Sequence, residues 1–312
     1  MTANRTPAFS YRLGLNQPRS SPTVRRLTEM ADMVGRDTAG ALRIEVFPES
    51  RLGPDPQMLA DMRAGQLEYF VAGATLGDLA PTSALPLLPF AFAHSAAVFA
   101  ALDGALGERI RSELAGHGIH AFRHCLQNGF HHLTTANRPI ATAADLKGVK
   151  IRSPGGAIAR EFFAEFGAEA GYVPFSEMYA ALQQGRFDGQ SDPLGVVLAL
   201  RLYEVQGCLS LTGHWWSGFT VLANGAAWRA LPADMRTIVE GHLERAALLQ
   251  RQDTEQINAA GAEELARLGM RVVTADCDSF RNALGPFYAR WRDKAGADGW
   301  RLLRAYAGEL PA

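Results

Sequence analysis

The chain has little cysteine: three residues in 312, Cys125, Cys208 and Cys277, lie far apart and form no C-x-x-C pair. An odd number closes no disulfide framework, so each is expected to be a small buried hydrophobe. An excess of charge is lacking too, because 31 basic residues face 32 acidic ones. That balance leaves no basic footprint for nucleic acid or an acidic membrane surface. No apolar run approaches the roughly 20 residues of a membrane span, and the opening "MTANRTPAFSYRLGL" lacks the charged start and apolar run of a signal peptide. Also missing are a G-x-S-x-G elbow, a Walker loop and a G-x-G-x-x-G fingerprint. In "HGIHAFRH" the spacing of His117, His120 and His124 would suit metal ligands on one helix. Gly116 and Gly118 instead make this a loop entering a strand, so the imidazoles diverge and no metal is expected.

What remains is an ordinary globular composition, 47% hydrophobic, in a chain long enough for two domains. Ser21-Pro22 reads as an N-cap and first helical position, followed by Val24, Leu27, Met30, Ala31 and Val34 at helical spacing. "LRIEVFP" alternates as a half-buried strand, "PDPQMLADMRAG" gives a second helix closed by Gly65, and "LEYFVAG" returns to strand. This β, α, β, α order predicts a mostly parallel sheet covered by helices, with ligands at the carboxyl ends of strands.

"DLKGVKIRSPGG", residues 145 to 156, repeats the unit: a strand, a glycine-containing turn, then the helix "AIAREFFAEF". Arg152 thus falls at a strand's carboxyl end beside a helix N-terminus, where a planar guanidinium and free backbone N–H groups would hold a carboxylate. Downstream, "VPFSEMYAALQQGRFDGQSDP" reads as a strand end, Ser176 as N-cap, a short helix and Gly185 as its stop. From Ala233 to Leu268 a helix runs for roughly 36 residues, about 54 Å at 1.5 Å per residue, broken only by the tolerated Gly241 and Gly261.

Taken together, "DLKGVKIRSP" and "FSEMYAALQQGRFDGQ" resemble the substrate-binding proteins of TRAP (tripartite ATP-independent periplasmic) transporters, of the DctP type. "RIEVFPESRLG", "LPLLPFAF", "NGFHHLT", "YEVQGCLSLTGHWW" and "LPADMRTIVE" match in the same order, so the resemblance covers about residues 11 to 300. It implies an α/β fold of the two-lobed, type II periplasmic-binding-protein kind, a clamshell with a long helix spanning both lobes. The lobes are expected at 1–129 plus about 218–257 and at 130–217 plus about 258–312, with a ligand cleft between them. By the same resemblance the protein is a monomer without cofactor or catalytic activity, periplasmic once an upstream signal peptide has acted. It would deliver a small organic acid to TRAP permease membrane subunits.

Residue by residue, the resemblance makes Arg152 the anchor of a ligand carboxylate, with Phe175 and Asp192 facing the ligand. Asp192, in "SDP", departs from the asparagine of the usual "ENP". A second arginine often follows the glycine of "NGF", but here His131 follows Phe130, which weakens a dicarboxylate reading because a neutral imidazole makes a single-point contact. Trp215 and Trp216 stand where the family has smaller or polar residues, and Asn128, Thr75 and Asn16 complete the expected site. One strong cation, one anion, a histidine and much aromatic surface suit a monocarboxylate, a 2-hydroxy or 2-oxo acid with an apolar or aromatic body. The alternatives are a C4-dicarboxylate, with His131 protonated or assisted by Arg123 or Arg138, and a cytosolic ligand-sensing domain or enzyme of similar fold.

Overall fold

The computed structural model describes residues 6–73, 76–77, 79–154, 156–308 and 310. Its strands are β1 (Phe9–Gly14), β2 (Leu42–Phe47), β3 (Tyr69–Ala72), β4 (Ile119–Ala121), β5 (Leu126–Thr135), β6 (Lys150–Arg152), β7 (Glu169–Gly171), β8 (Gly189–Pro193), β9 (Cys208–Leu211), β10 (Trp216–Asn224) and β11 (Arg271–Thr274). Two compact units divide the chain: residues 1–73, 111–127 and 219–253 form the first, and residues 74–110, 128–218 and 254–312 the second. Residues 74–110 group with the second unit, where a division at 129/130 would place them in the first. The 3-10 segment Pro81–Leu87 packs on the helix Gly285–Arg304 of the second unit, and Gly299 of that helix lies close to Leu85.

In the first unit β1 pairs in parallel with β2 and β3, while β10 runs antiparallel to β3 and to β4. The helix Pro22–Asp37 starts as the sequence predicts, with the Ser21 hydroxyl accepting from the Val24 N–H at 3.3 Å. Its buried face, Val24, Leu27, Met30, Ala31 and Val34, joins Leu13, Leu15, Leu42, Ile44 and Val71 in one core. His120 of β4 stacks on Trp228, ring centroids 4.6 Å apart. Burial against that indole pushes its pKa down to about 4.

In the second unit the order is β11-β9-β5-β8-β6-β7. Here β5 is antiparallel to both neighbours while β6 is parallel to β7 and β8. Both units are therefore mixed, not mostly parallel. The antiparallel pairs involve β5 or β10, each of which runs through a boundary between the units and enters a sheet from outside its β-α-β order. The second core gathers Met178, Leu182, Leu194, Val197, Leu202, Leu209 and Leu265.

Ser176 does not cap a helix: Phe175–Glu177 is a 3-10 turn, and the α-helix begins at Met178. Pro174 fixes an extended backbone, and the Glu177 N–H turns back to the Pro174 carbonyl at 2.9 Å, so the chain tightens for one turn before settling into α geometry. Gly185 ends that segment with φ at +68°, as predicted. The long helix runs Ala233–Arg267, with Gly269 beyond its end at φ +97°, and the change from the first unit to the second falls inside it, after Asp253. Among the described residues no helix is long and apolar enough to cross a membrane.

Candidate functional site

Short strand β6 ends on Arg152, and the next helix, Ala157–Glu165, follows Gly156 at φ +84°. Ile151 is wholly buried, which draws the strand into the sheet and takes its last residue with it. Arg152 is only 2% exposed, an extreme for a residue type that is almost never buried unless paired. Its pair is Asp192 on β8, where Nη1 donates to Oδ2 at 2.8 Å. Nη2 donates to the Val173 carbonyl at 3.3 Å, and the guanidinium carbon lies 5.9 Å from the centre of the Phe175 ring. The parallel register of β6 on β8 sets Arg152 beside Gln190, two residues from Asp192.

One donor stays unmatched. Arg152 Nε is buried and meets no acceptor, a state that costs roughly 1–3 kcal/mol and more for a charged group. The Nε–Nη2 edge of a guanidinium is the fork that grips a carboxylate with two parallel bonds. A second unmet donor is the indole Nε1 of Trp216, buried, with its ring edge-on to Phe99 at 5.9 Å. Asp192 has burial pushing its carboxyl up to about 6, with the attraction of Arg152 opposing that rise.

Beside this pair runs a neutral network that the sequence does not announce. Asn128 Nδ2 donates to Ser217 Oγ at 3.1 Å, and that hydroxyl meets His131 Nε2 at 2.8 Å. His131 Nδ1 lies 3.0 Å from Ser191 Oγ, which lies 2.9 Å from His214 Nε2, and His214 Nδ1 lies 2.7 Å from Thr212 Oγ1. Ser191 has a single hydroxyl proton, so of its two imidazole partners one donates and the other accepts. Burial pushes the His131 pKa down to about 3 and that of His214 well below its ordinary value, so both rings are neutral. Gly129, at φ +126°, lies within β5, and a Cβ there would collide with the Asn258 side chain.

The expected site residues therefore sort into groups. Arg152, Asp192 and Phe175 come together; Asn128 and His131 come together through Ser217. Both ring nitrogens of His131 are taken by serines, so the imidazole has no nitrogen left for the ligand contact expected of it. Trp215 packs against Phe162, Phe163, His131 and His214, within a core of rings, whereas Trp216 carries a buried indole N–H that meets no acceptor. Asn16, in the first unit, donates to Asp55 Oδ2 at 2.7 Å and accepts from Gln17 at 3.0 Å. Thr75 lies outside the described residues. Of the basic side chains considered as helpers for His131, Arg138 donates to the Asp145 carbonyl.

The chain is similar to known solute-binding proteins. The family model for bacterial extracellular solute-binding protein, family 7 (DctP), matches residues 13–294. The 2,3-diketo-L-gulonate-binding periplasmic protein of Escherichia coli K12 is 29% identical over 280 residues, 89% of this chain and 85% of that one. A C4-dicarboxylate-binding protein of Bacillus subtilis 168 is 26% identical over 83% of this chain and 73% of its own. The crystal structure of a TRAP periplasmic solute-binding protein from Polaromonas sp. JS666, bound to D-erythronate, superposes with a TM-score of 0.91 at 28% identity, covering 96% of this chain and all of that one. With a family model matched over residues 13–294, and with a fold that superposes on such a structure over nearly its whole length, the chain belongs to the DctP family of TRAP transporter solute-binding proteins.

Proposed function

We propose that this protein binds a small organic monocarboxylate, a 2-hydroxy or 2-oxo acid, and delivers it unchanged to TRAP permease membrane subunits from the periplasm. The observation that carries the reading is the buried, unmatched Nε of Arg152 above Phe175 at the end of β6. A carboxylate on the Nε–Nη2 edge would supply the missing acceptor, and Asp192 stands ready for a hydroxyl on the adjacent carbon. D-Erythronate and 2,3-diketo-L-gulonate, bound by relatives, are acids of this class. Phe175 offers an apolar wall for the rest of the molecule. Binding without catalysis follows from the same reading, since a carrier must release unchanged what it captured.

The second reading, a C4-dicarboxylate, is favoured by the Bacillus relative. Against it stands His131, neutral and engaged on both nitrogens, so a second carboxylate beside it would be desolvated without a counter-charge, a loss of several kcal/mol. Calorimetric titration with D-erythronate, 2,3-diketo-L-gulonate, mandelate, succinate and malate at pH 7.5 tests the choice. The expected result is at least tenfold tighter binding of a 2-hydroxy or 2-oxo monocarboxylate, about 1.4 kcal/mol. A C4-dicarboxylate binding more tightly than every monocarboxylate of the panel overturns it. Mass spectrometry of the incubated mixture should recover only the acid supplied.

A further inference from the structure

Arg152 and Asp192 are each at most 3% exposed in their side chains and meet at 2.8 Å, a pair whose charges already cancel. A ligand carboxylate arriving at the unmatched Nε of the same guanidinium would place two anions on one buried cation. Two carboxylates sharing a single site do not both stay ionised in a low-dielectric interior; one of them takes a proton. We propose that the binding site carries a proton as co-ligand: capture of a carboxylate is coupled to uptake of one proton from solvent by Asp192. This rests on the functional reading above and adds to it a stoichiometry. The only bond made is O–H on Asp192, and the proton comes from water or buffer. The ligand stays an anion on Arg152, while neutral Asp192 keeps one oxygen as acceptor and gains a donor.

Among the described residues, the elements that flank Asp192 leave no other group to absorb the added charge. On β5, His131 and His132 flank Asp192, with His132 directly opposite in the register. Burial holds both neutral, with pKa values near 3 and 4. His214, from the turn before β10, is likewise buried and neutral, and gives its ring nitrogens to Thr212 and Ser191. On β6, besides Arg152, Lys150 is exposed at the strand's other end, where its N–H donates to Asp188. The helix Ala157–Glu165 contributes an exposed Arg160, along with Glu161 and Glu165, which are engaged with Lys294 and Arg290. The 3-10 turn contributes only the exposed Glu177, and the helix Leu194–Ala199 carries no charge. Asp192, already pushed up toward neutrality by burial, is the group poised to titrate.

The experiment needs no variant to begin. D-Erythronate and 2,3-diketo-L-gulonate are titrated calorimetrically into the wild-type protein at pH 7.0 in phosphate and in Tris, buffers of very different ionisation enthalpy. Apparent enthalpies should differ by nearly one proton's worth of buffer ionisation, with uptake as the sign. Affinity should fall by up to tenfold per pH unit between pH 6.5 and 8. Asp192→Asn should bind with equal enthalpies in the two buffers and lose the pH dependence. Equal enthalpies in the wild type, proton release, or coupling that persists in Asp192→Asn would overturn the inference while leaving the carboxylate site standing. Failure of either acid, and of succinate and malate, to bind at all would bring down the functional reading and this inference with it.

Discussion

Strand β8 carries, at successive residues, two kinds of buried polar chemistry. Asp192 belongs to a charged pair that leaves a donor over: Arg152 keeps Nε unmatched in a site almost sealed from water. Ser191 belongs to a neutral chain in which both nitrogens of His131 and both of His214 find hydroxyls. A fully satisfied network fixes one arrangement of its strands, whereas a half-satisfied charge is high in energy until something completes it. Burial and polarity alone therefore do not mark a binding residue. At Arg152 the distinguishing feature is a buried charged donor left without an acceptor.

The sharpest break of that comparison is Arg152→Ala, which removes the grip on a carboxylate and strands Asp192 without its counter-ion. Binding should weaken by about 3 kcal/mol or more, over a hundredfold, by calorimetry with D-erythronate. An affinity within threefold of wild type would remove Arg152 from the site.

Acid separates the two regions by sign. His131 and His214 are neutral in the fold, with pKa values below the ordinary 6.5, so as pH falls the unfolded chain takes up protons first. Their contribution is complete above about pH 6.5 and is lost on the way down, for His131 by about 2 kcal/mol at pH 5, with His214 acting in the same direction. Asp192, raised to about 6, works the other way: the folded state holds its proton more tightly, so its contribution falls as pH rises from about 4 through 6. Urea unfolding at pH 7 and 5 should therefore show a net loss on acidification in wild type. Asp192→Asn should steepen that loss, and an unchanged slope would count against the opposed signs.

Replacing the network's centre comes next. His131→Arg puts a long cation where two serines expect an imidazole, so it should destabilise the fold by about 1–3 kcal/mol before it confers any hold on succinate. Full stability together with tight succinate binding would show that the ring is a ligand group after all. The smallest effect is reserved for the paired indoles. Trp216→Phe deletes one N–H and should weaken binding of a 2-hydroxy acid by about 1 kcal/mol, measured by calorimetry. Trp215→Phe, within the ring cluster, should change thermal stability and leave affinity alone.

Much of this was legible in the chain. Strand-turn-helix punctuation around "KIRSPGG" sets Arg152 at a strand end, and family resemblance brings Phe175 and Asp192 to it. What stayed hidden depends on pairing between distant segments. Ser217 and His214 are ordinary polar residues until the fold brings them to His131, more than eighty positions earlier. Hydroxyls leave no periodic trace, and His131, conspicuous where an arginine was expected, invited a ligand role that its two serines already fill. The direction of β5 was hidden for the same reason, since local propensity predicts a strand but not its partners.

The partition of the chain also bears on how the protein is made. The first unit needs residues 219–253, so a ribosome has copied about four-fifths of the sequence before the last piece of that unit exists. Ala72 waits for Thr220, its neighbour across the sheet. At roughly 5–20 residues per second, strand β3 spends on the order of 7–30 s with that edge unpaired. A nascent chain of this design cannot mature stepwise from its amino terminus. The open edge of β3 is closed only once residues 219–253 have been made.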